Sequence, residues 1–140
     1  MKLLILFALL SSSFASWKFD MDPEILHDWL GMMQPYTEQC HKETDVDKEI
    51  VYNAFMKMDL PEDYKEFNCF AKCMYTRLGF YYPETGKFDR ELMVKRIKGM
   101  TKHIAEDCYE HRYHTEEEDR CKHMYNSVVC AIKKLSKMVD

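Results

Sequence analysis

Apolar residues recur along most of this chain at the three- and four-residue spacing of amphipathic helices, and that spacing predicts where the helices lie. From Pro23, Ile25, Leu26, Trp29, Leu30 and Met33 share one helical face, which Pro35 is expected to interrupt. Val46, Ile50, Val51, Ala54, Phe55 and Met58 form a second stripe. A third helix is expected to open at Pro61, a tolerated first-turn proline, with Glu62 and Asp63 at the positive end of its dipole. Its face carries Phe67, Phe70, Met74 and Leu78, and Gly79 is expected to end it.

The stretch from Phe80 to Phe88 breaks the helical period, and Pro83 and Thr85-Gly86 mark a turn within it. Asp89 stands where it can cap a fourth helix bearing Leu92, Met93 and Ile97, which Gly99 stops. Ile104, Ala105 and Cys108 outline a short fifth helix. Thr115 and Glu118 have capping-box spacing ahead of a long sixth helix, whose face is Cys121, Met124, Tyr125, Val128, Val129, Ile132 and Leu135. No alternating strand pattern, internal repeat or linker stands out. The expected fold class is all-α, one domain of about six helices.

The first fifteen residues follow a different rule. Lys2 precedes an apolar run from Leu3 to Leu10, and Ser13 and Ala15 supply small residues ahead of a cut after Ala15. This is the pattern of a secretory signal peptide over residues 1–15, leaving a helical domain over residues 16–140. The run is far shorter than the ~20 residues that span a bilayer, so membrane insertion is not expected. Secretion implies an oxidising compartment, and all six Cys lie beyond residue 15, consistent with three disulfides. Fifteen pairings are possible and spacing alone selects none. Asn126-Ser127-Val128 fails as a glycosylation acceptor.

Composition narrows the function. The 140 residues include 14% aromatics and eleven Met, enough apolar bulk for a core. Loss of Lys2 with the leader moves the net charge from −4 to −5, and no basic block suggests a nucleic acid partner. No Gly-x-Ser-x-Gly elbow and no His-Glu-x-x-His helix occurs, so an enzyme is not expected. His111, His114 and His123, with the neighbouring acids, are explained as a solvated face. Cys69-x3-Cys73 with His111-x2-His114 is a poor zinc pattern, the His spacing being short and disulfides being favoured. No metal and no cofactor is expected. The many methionines suit an irregular apolar surface, since their side chains adapt to shape.

The cysteine spacing, Cys40-x28-Cys69-x3-Cys73-x34-Cys108-x12-Cys121-x8-Cys130, resembles that of the insect odorant- and pheromone-binding proteins. The resemblance covers Pro23 to Asp140, and Leu78-Gly79-Phe80 followed by Thr85-Gly86-Lys87-Phe88-Asp89 looks like the segment after that family's third helix. It implies six helices around an apolar cavity, stapled by Cys40–Cys73, Cys69–Cys121 and Cys108–Cys130. It also implies a secreted, extracellular carrier, monomeric or weakly dimeric, that takes a small hydrophobic molecule such as an odorant or pheromone through sensory fluid. An olfactory receptor complex is the implied partner.

Helix face and family position together nominate the ligand-binding residues. These are Phe80 after the third helix, Met93 and Ile97 on the fourth, Thr101, Ile104 and Ala105 before Cys108, and Met124, Ser127 and Val128 on the sixth. Tyr125, Tyr113 or Thr101 is the candidate hydroxyl to orient an alcohol or ester. Phe55, Met58, Phe67 and Met74 are further candidates that plain core explains equally well. Only ten residues, Ala131 to Asp140, follow Cys130, and the sixth helix is expected to use most of them. Six His gain charge between about pH 7 and 5, which makes pH-dependent release an expectation. The alternative is a salivary member of the scaffold that captures host amines or interferes with haemostasis, with Glu106, Asp107 and Glu110 as the acids nearest the implied cavity wall.

Overall fold

The computed structural model describes residues 16–138, and the expected signal peptide over residues 1–15 lies outside the described residues. In chain order the elements are β1 (Ser16–Asp20), α1 (Pro23–Thr44), α2 (Lys48–Met56), β2 (Asp59–Pro61), α3 (Lys65–Arg77), β3 (Tyr81–Tyr82), β4 (Lys87–Phe88), α4 (Arg90–Arg96), α5 (Lys102–Cys108), α6 (Glu117–Leu135) and β5 (Lys137–Met138). Six helices carry the fold, as the apolar stripes predict. Helix α3 lies between α1 and α6 and packs on both.

The disulfides follow that arrangement. Cys40–Cys73 ties α1 to α3, Cys69–Cys121 ties α3 to α6, and Cys108–Cys130 ties α5 to α6. Cys69 and Cys73 are one helical turn apart, so α3 is fastened to both of its neighbours. Each bridge restricts the unfolded chain and contributes roughly 2–4 kcal/mol.

Helix α1 runs through Pro35 instead of stopping there. Pro35 and Gly31 are both exposed, so the carbonyl that loses its amide partner faces water. Beyond the proline, the bridge at Cys40 holds the helix on α3, and the Thr37 hydroxyl donates to the Met33 carbonyl at 3.0 Å. The start of the helix is capped by Asp22, whose carboxylate accepts the Glu24 N–H at 2.8 Å. Asp89 and Thr101 cap α4 and α5 in the same manner, accepting from Leu92 and Ile104.

Two local expectations give way to competing hydrogen bonds. Pro61 ends strand β2 and does not open α3, because residues 59–61 pair antiparallel with residues 16–18 in the register Trp17↔Leu60. Asp63 then turns the chain with φ 54°, and α3 begins at Lys65 with Tyr64 at its N-cap position. Helix α6 does not use the Thr115 capping box, and its N-cap is Glu116. There the Arg120 guanidinium donates to the carbonyls of His114 and Thr115, each at 2.8 Å, and holds the first turn.

The described residues also form five short strands, which no alternating pattern predicts. Strand β1 is central in a three-stranded antiparallel sheet, with β2 on one side and β5 on the other. Trp17 and Phe19 do alternate with Lys18 and Asp20, but the run is short and its partners lie far away in sequence. Strands β3 and β4 form a hairpin across the predicted turn. Gly79 ends α3 with φ 80°, its N–H donating to Thr76 O while Phe80 N–H donates to Tyr75 O, which turns Phe80 inward.

Candidate functional site

The apolar stripes of the helices converge on one interior cavity. Trp29, Met32 and Met33 of α1 face it with Phe55 of α2, and Met58 and Leu60 close the wall beside them. Phe67, Ala71, Met74 and Tyr75 of α3 form the opposite wall, and Leu78 and Phe80 continue it past the end of the helix. Ile97, Met100 and Tyr109 contribute from the α4–α5 region, and Tyr125, Val128, Val129, Ala131, Ile132 and Leu135 from α6.

About 60 Å³ inside this wall is open to the centre of a water-sized sphere. That is several times the room a single water needs. Five methionines border the space, and their unbranched side chains can move aside for a larger guest. Among the described residues no charged side chain borders it. Such a wall suits a neutral apolar molecule and penalises an ion, which would lose its water without gaining a partner.

Four of the lining residues have side chains with polar hydrogens. Trp29 Nε1–H donates to the Lys98 carbonyl at 3.0 Å. The Tyr125 hydroxyl donates to the Pro61 carbonyl, so it is committed to linking α6 with β2. The Tyr75 and Tyr109 hydroxyls lie 2.6 Å apart and bond to one another, with the rings stacked at 5.7 Å. Burial pushes the Tyr75 hydroxyl up to about 12 against the lowering effect of its bond to Tyr109. Burial raises Tyr109 well above the usual tyrosine range, and the adjoining Tyr75 adds to the effect. Both therefore stay protonated at neutral pH.

The residues nominated from sequence divide cleanly in space. Phe80, Ile97, Tyr125 and Val128 border the cavity, as do Phe55, Met58, Phe67 and Met74. Met93, Ile104, Ala105, Met124 and Ser127 are buried outside the lining. Ser127 turns its hydroxyl onto the His123 carbonyl at 2.9 Å. Thr101 is exposed and spends its hydroxyl on the α5 cap, and Tyr113 is exposed as well. The walls from α1 and α3 were not nominated as a set, because a 3.6-residue apolar stripe looks the same whether it meets a cavity or a neighbour. No signal in the sequence links Tyr75 to Tyr109, because the two stand on separate helical segments that only folding brings together.

Potential metal groups reduce to structural sulfur. Cys69, Glu117 and Cys121 lie together, as do Asp107, Cys108 and Cys130, but each group contains a disulfide and so offers no thiolate. His111 accepts the Phe88 N–H at Nδ1, and His123 meets the Glu110 carbonyl through Nε2. Glu106 pairs with Lys102 and Asp107 with Lys134, so neither faces the cavity, and Glu110 is exposed.

Among the described residues no helix is long and apolar enough to cross a membrane. No curated protein and no solved structure matches the chain. The model of the PBP/GOBP family matches residues 24–134, a span that runs from the first turn of α1 to the last turn of α6 and takes in every cavity-lining residue but Leu135. The chain therefore belongs to the PBP/GOBP family, the insect odorant- and pheromone-binding proteins, whose members bind small molecules and are not enzymes.

Proposed function

We propose that the protein is a secreted carrier, which takes one small hydrophobic ligand into the helical cavity and carries it through extracellular sensory fluid for delivery to an olfactory receptor complex. The observation that carries this reading is an interior wall without a charged side chain, built from adaptable Met and aromatic residues in a chain of this family. The leader-like pattern of residues 1–15 supports secretion. Affinity comes from removing apolar ligand surface from water, at roughly 25 cal/mol per Å² before the costs of association. The ligand contacts we assign are Phe80, Ile97, Tyr125 and Val128, with Phe55, Met58, Phe67 and Met74 opposite.

The test is displacement of an apolar fluorescent probe from the fully oxidised protein. Medium-chain alcohols and esters are expected to displace it, and serotonin and histamine are not. Direct binding of an amine without binding of the probe would overturn the reading in favour of amine capture.

A further inference from the structure

Resting on the carrier reading, the geometry points to a ligand class: a neutral apolar molecule with a carbonyl oxygen (an ester, ketone or aldehyde), held by an O–H from the Tyr75–Tyr109 pair. Two hydroxyls carry two protons, and the bond between them at 2.6 Å uses one. Whichever tyrosine donates within the pair, the other keeps an O–H. The hydrogen bonds of the described residues give neither hydroxyl a second protein partner.

The other polar hydrogens of the lining are spoken for, Trp29 by Lys98 and Tyr125 by Pro61. Among the described residues, the spare O–H is therefore the one uncommitted side-chain donor of the lining. A buried donor without an acceptor is unfavourable, and a ligand carbonyl relieves it without bringing a new donor of its own. A hydrocarbon leaves the proton unmet. A carboxylate would meet it but finds no cation among the described lining residues to offset the loss of its hydration. The raised pKa values of both tyrosines agree with a pair that acts as donor and not as anion.

The experiment compares a medium-chain ester with the alkane of the same length, by competition against an apolar probe, in four proteins: wild type, Tyr75→Phe, Tyr109→Phe and Tyr75→Phe/Tyr109→Phe. Each single variant leaves one phenol with its proton free, so the ester-to-alkane affinity ratio is expected to hold. The double variant removes the donor, and the ratio is expected to fall by about five- to tenfold while alkane affinity changes little. An unchanged ratio in the double variant overturns this inference and leaves the carrier reading intact. Absence of probe binding in the wild type would overturn the carrier reading itself. Independently of any variant, the infrared carbonyl band of an isotopically labelled ester is expected to move to lower frequency on binding the wild-type protein, and a band at the hydrocarbon-solvent position would overturn the inference.

Discussion

Tyr125 of α6 gives its hydroxyl proton to the carbonyl of Pro61, a residue that cannot itself donate and that lies at the end of a strand 64 positions earlier. The contact joins the long helix to the sheet at the cavity wall, so one residue both lines the ligand space and fastens it shut. Tyr125→Phe keeps the ring and leaves a buried carbonyl without its donor. Denaturant unfolding is expected to show a loss of about 1–2 kcal/mol, with apolar probe affinity kept within a few-fold. A large loss of affinity at unchanged stability would mean that this hydroxyl serves the ligand.

Filling the cavity separates binding from folding. Ala131 is buried on the α6 wall, and Ala131→Phe would put a ring into space now left open. Probe binding is expected to fall at least tenfold, with helix content kept and stability lowered by about 1–3 kcal/mol from overpacking. Titration with the probe and circular dichroism on the same samples provide the check.

One histidine makes the fold sensitive to acid. His111 accepts the Phe88 N–H at 3.0 Å, which only its neutral ring can do. Partial burial depresses its affinity for a proton below the ordinary value of 6.5, and the charges of Arg90 and Lys87 depress it further. A group whose folded value is depressed supports the fold above its unfolded value and loses that support as pH falls through the folded one. Thermal unfolding is therefore expected to show a drop in Tm between about pH 6.5 and pH 5, smaller in His111→Gln. Phe88 packs against Tyr109 with ring centroids 5.3 Å apart, so the same titration loosens a residue behind the cavity wall. A pH-independent difference between the two proteins would rule this out.

Gly86 is required by its neighbours. Its φ is +73°, and a β-carbon there would come within 2.1 Å of the Arg112 carbonyl oxygen. Gly86 O also accepts the Arg112 N–H at 3.0 Å, so the hairpin turn and the segment before α6 are locked backbone to backbone. Gly86→Ala is expected to cost on the order of 3 kcal/mol in denaturant unfolding. A cost near zero would show that the segment can move away freely.

The helices were legible because burial on one face imposes a 3.6-residue period that survives in the sequence, and the caps at Asp89 and the stop at Gly79 are local chemistry. Pro35 misled because a proline breaks a helix only if nothing else holds its two halves, and a disulfide and a buried Trp29 do so here. Pro61 and Thr115 misled because other hydrogen bonds displaced the local signal: residues 59–61 paired with a strand distant in sequence, and Arg120, within α6 itself, took the carbonyls of His114 and Thr115.

By itself the sequence determined the helix count, the turn after the third helix and, through its cysteine intervals, the family. Those properties depend on residues close together or on spacings counted along one chain. Which faces surround open space, and which hydroxyls remain free to meet a guest, only the tertiary structure decided. Met74 and Met93 stand on equally apolar faces, yet one borders the cavity and the other is wholly enclosed in packed core. Tyr125 and Tyr109 are both buried phenols, yet one is bound to a distant carbonyl and the other to a second phenol. Both distinctions are set by the neighbours that folding brings up, and no periodicity along the chain records them.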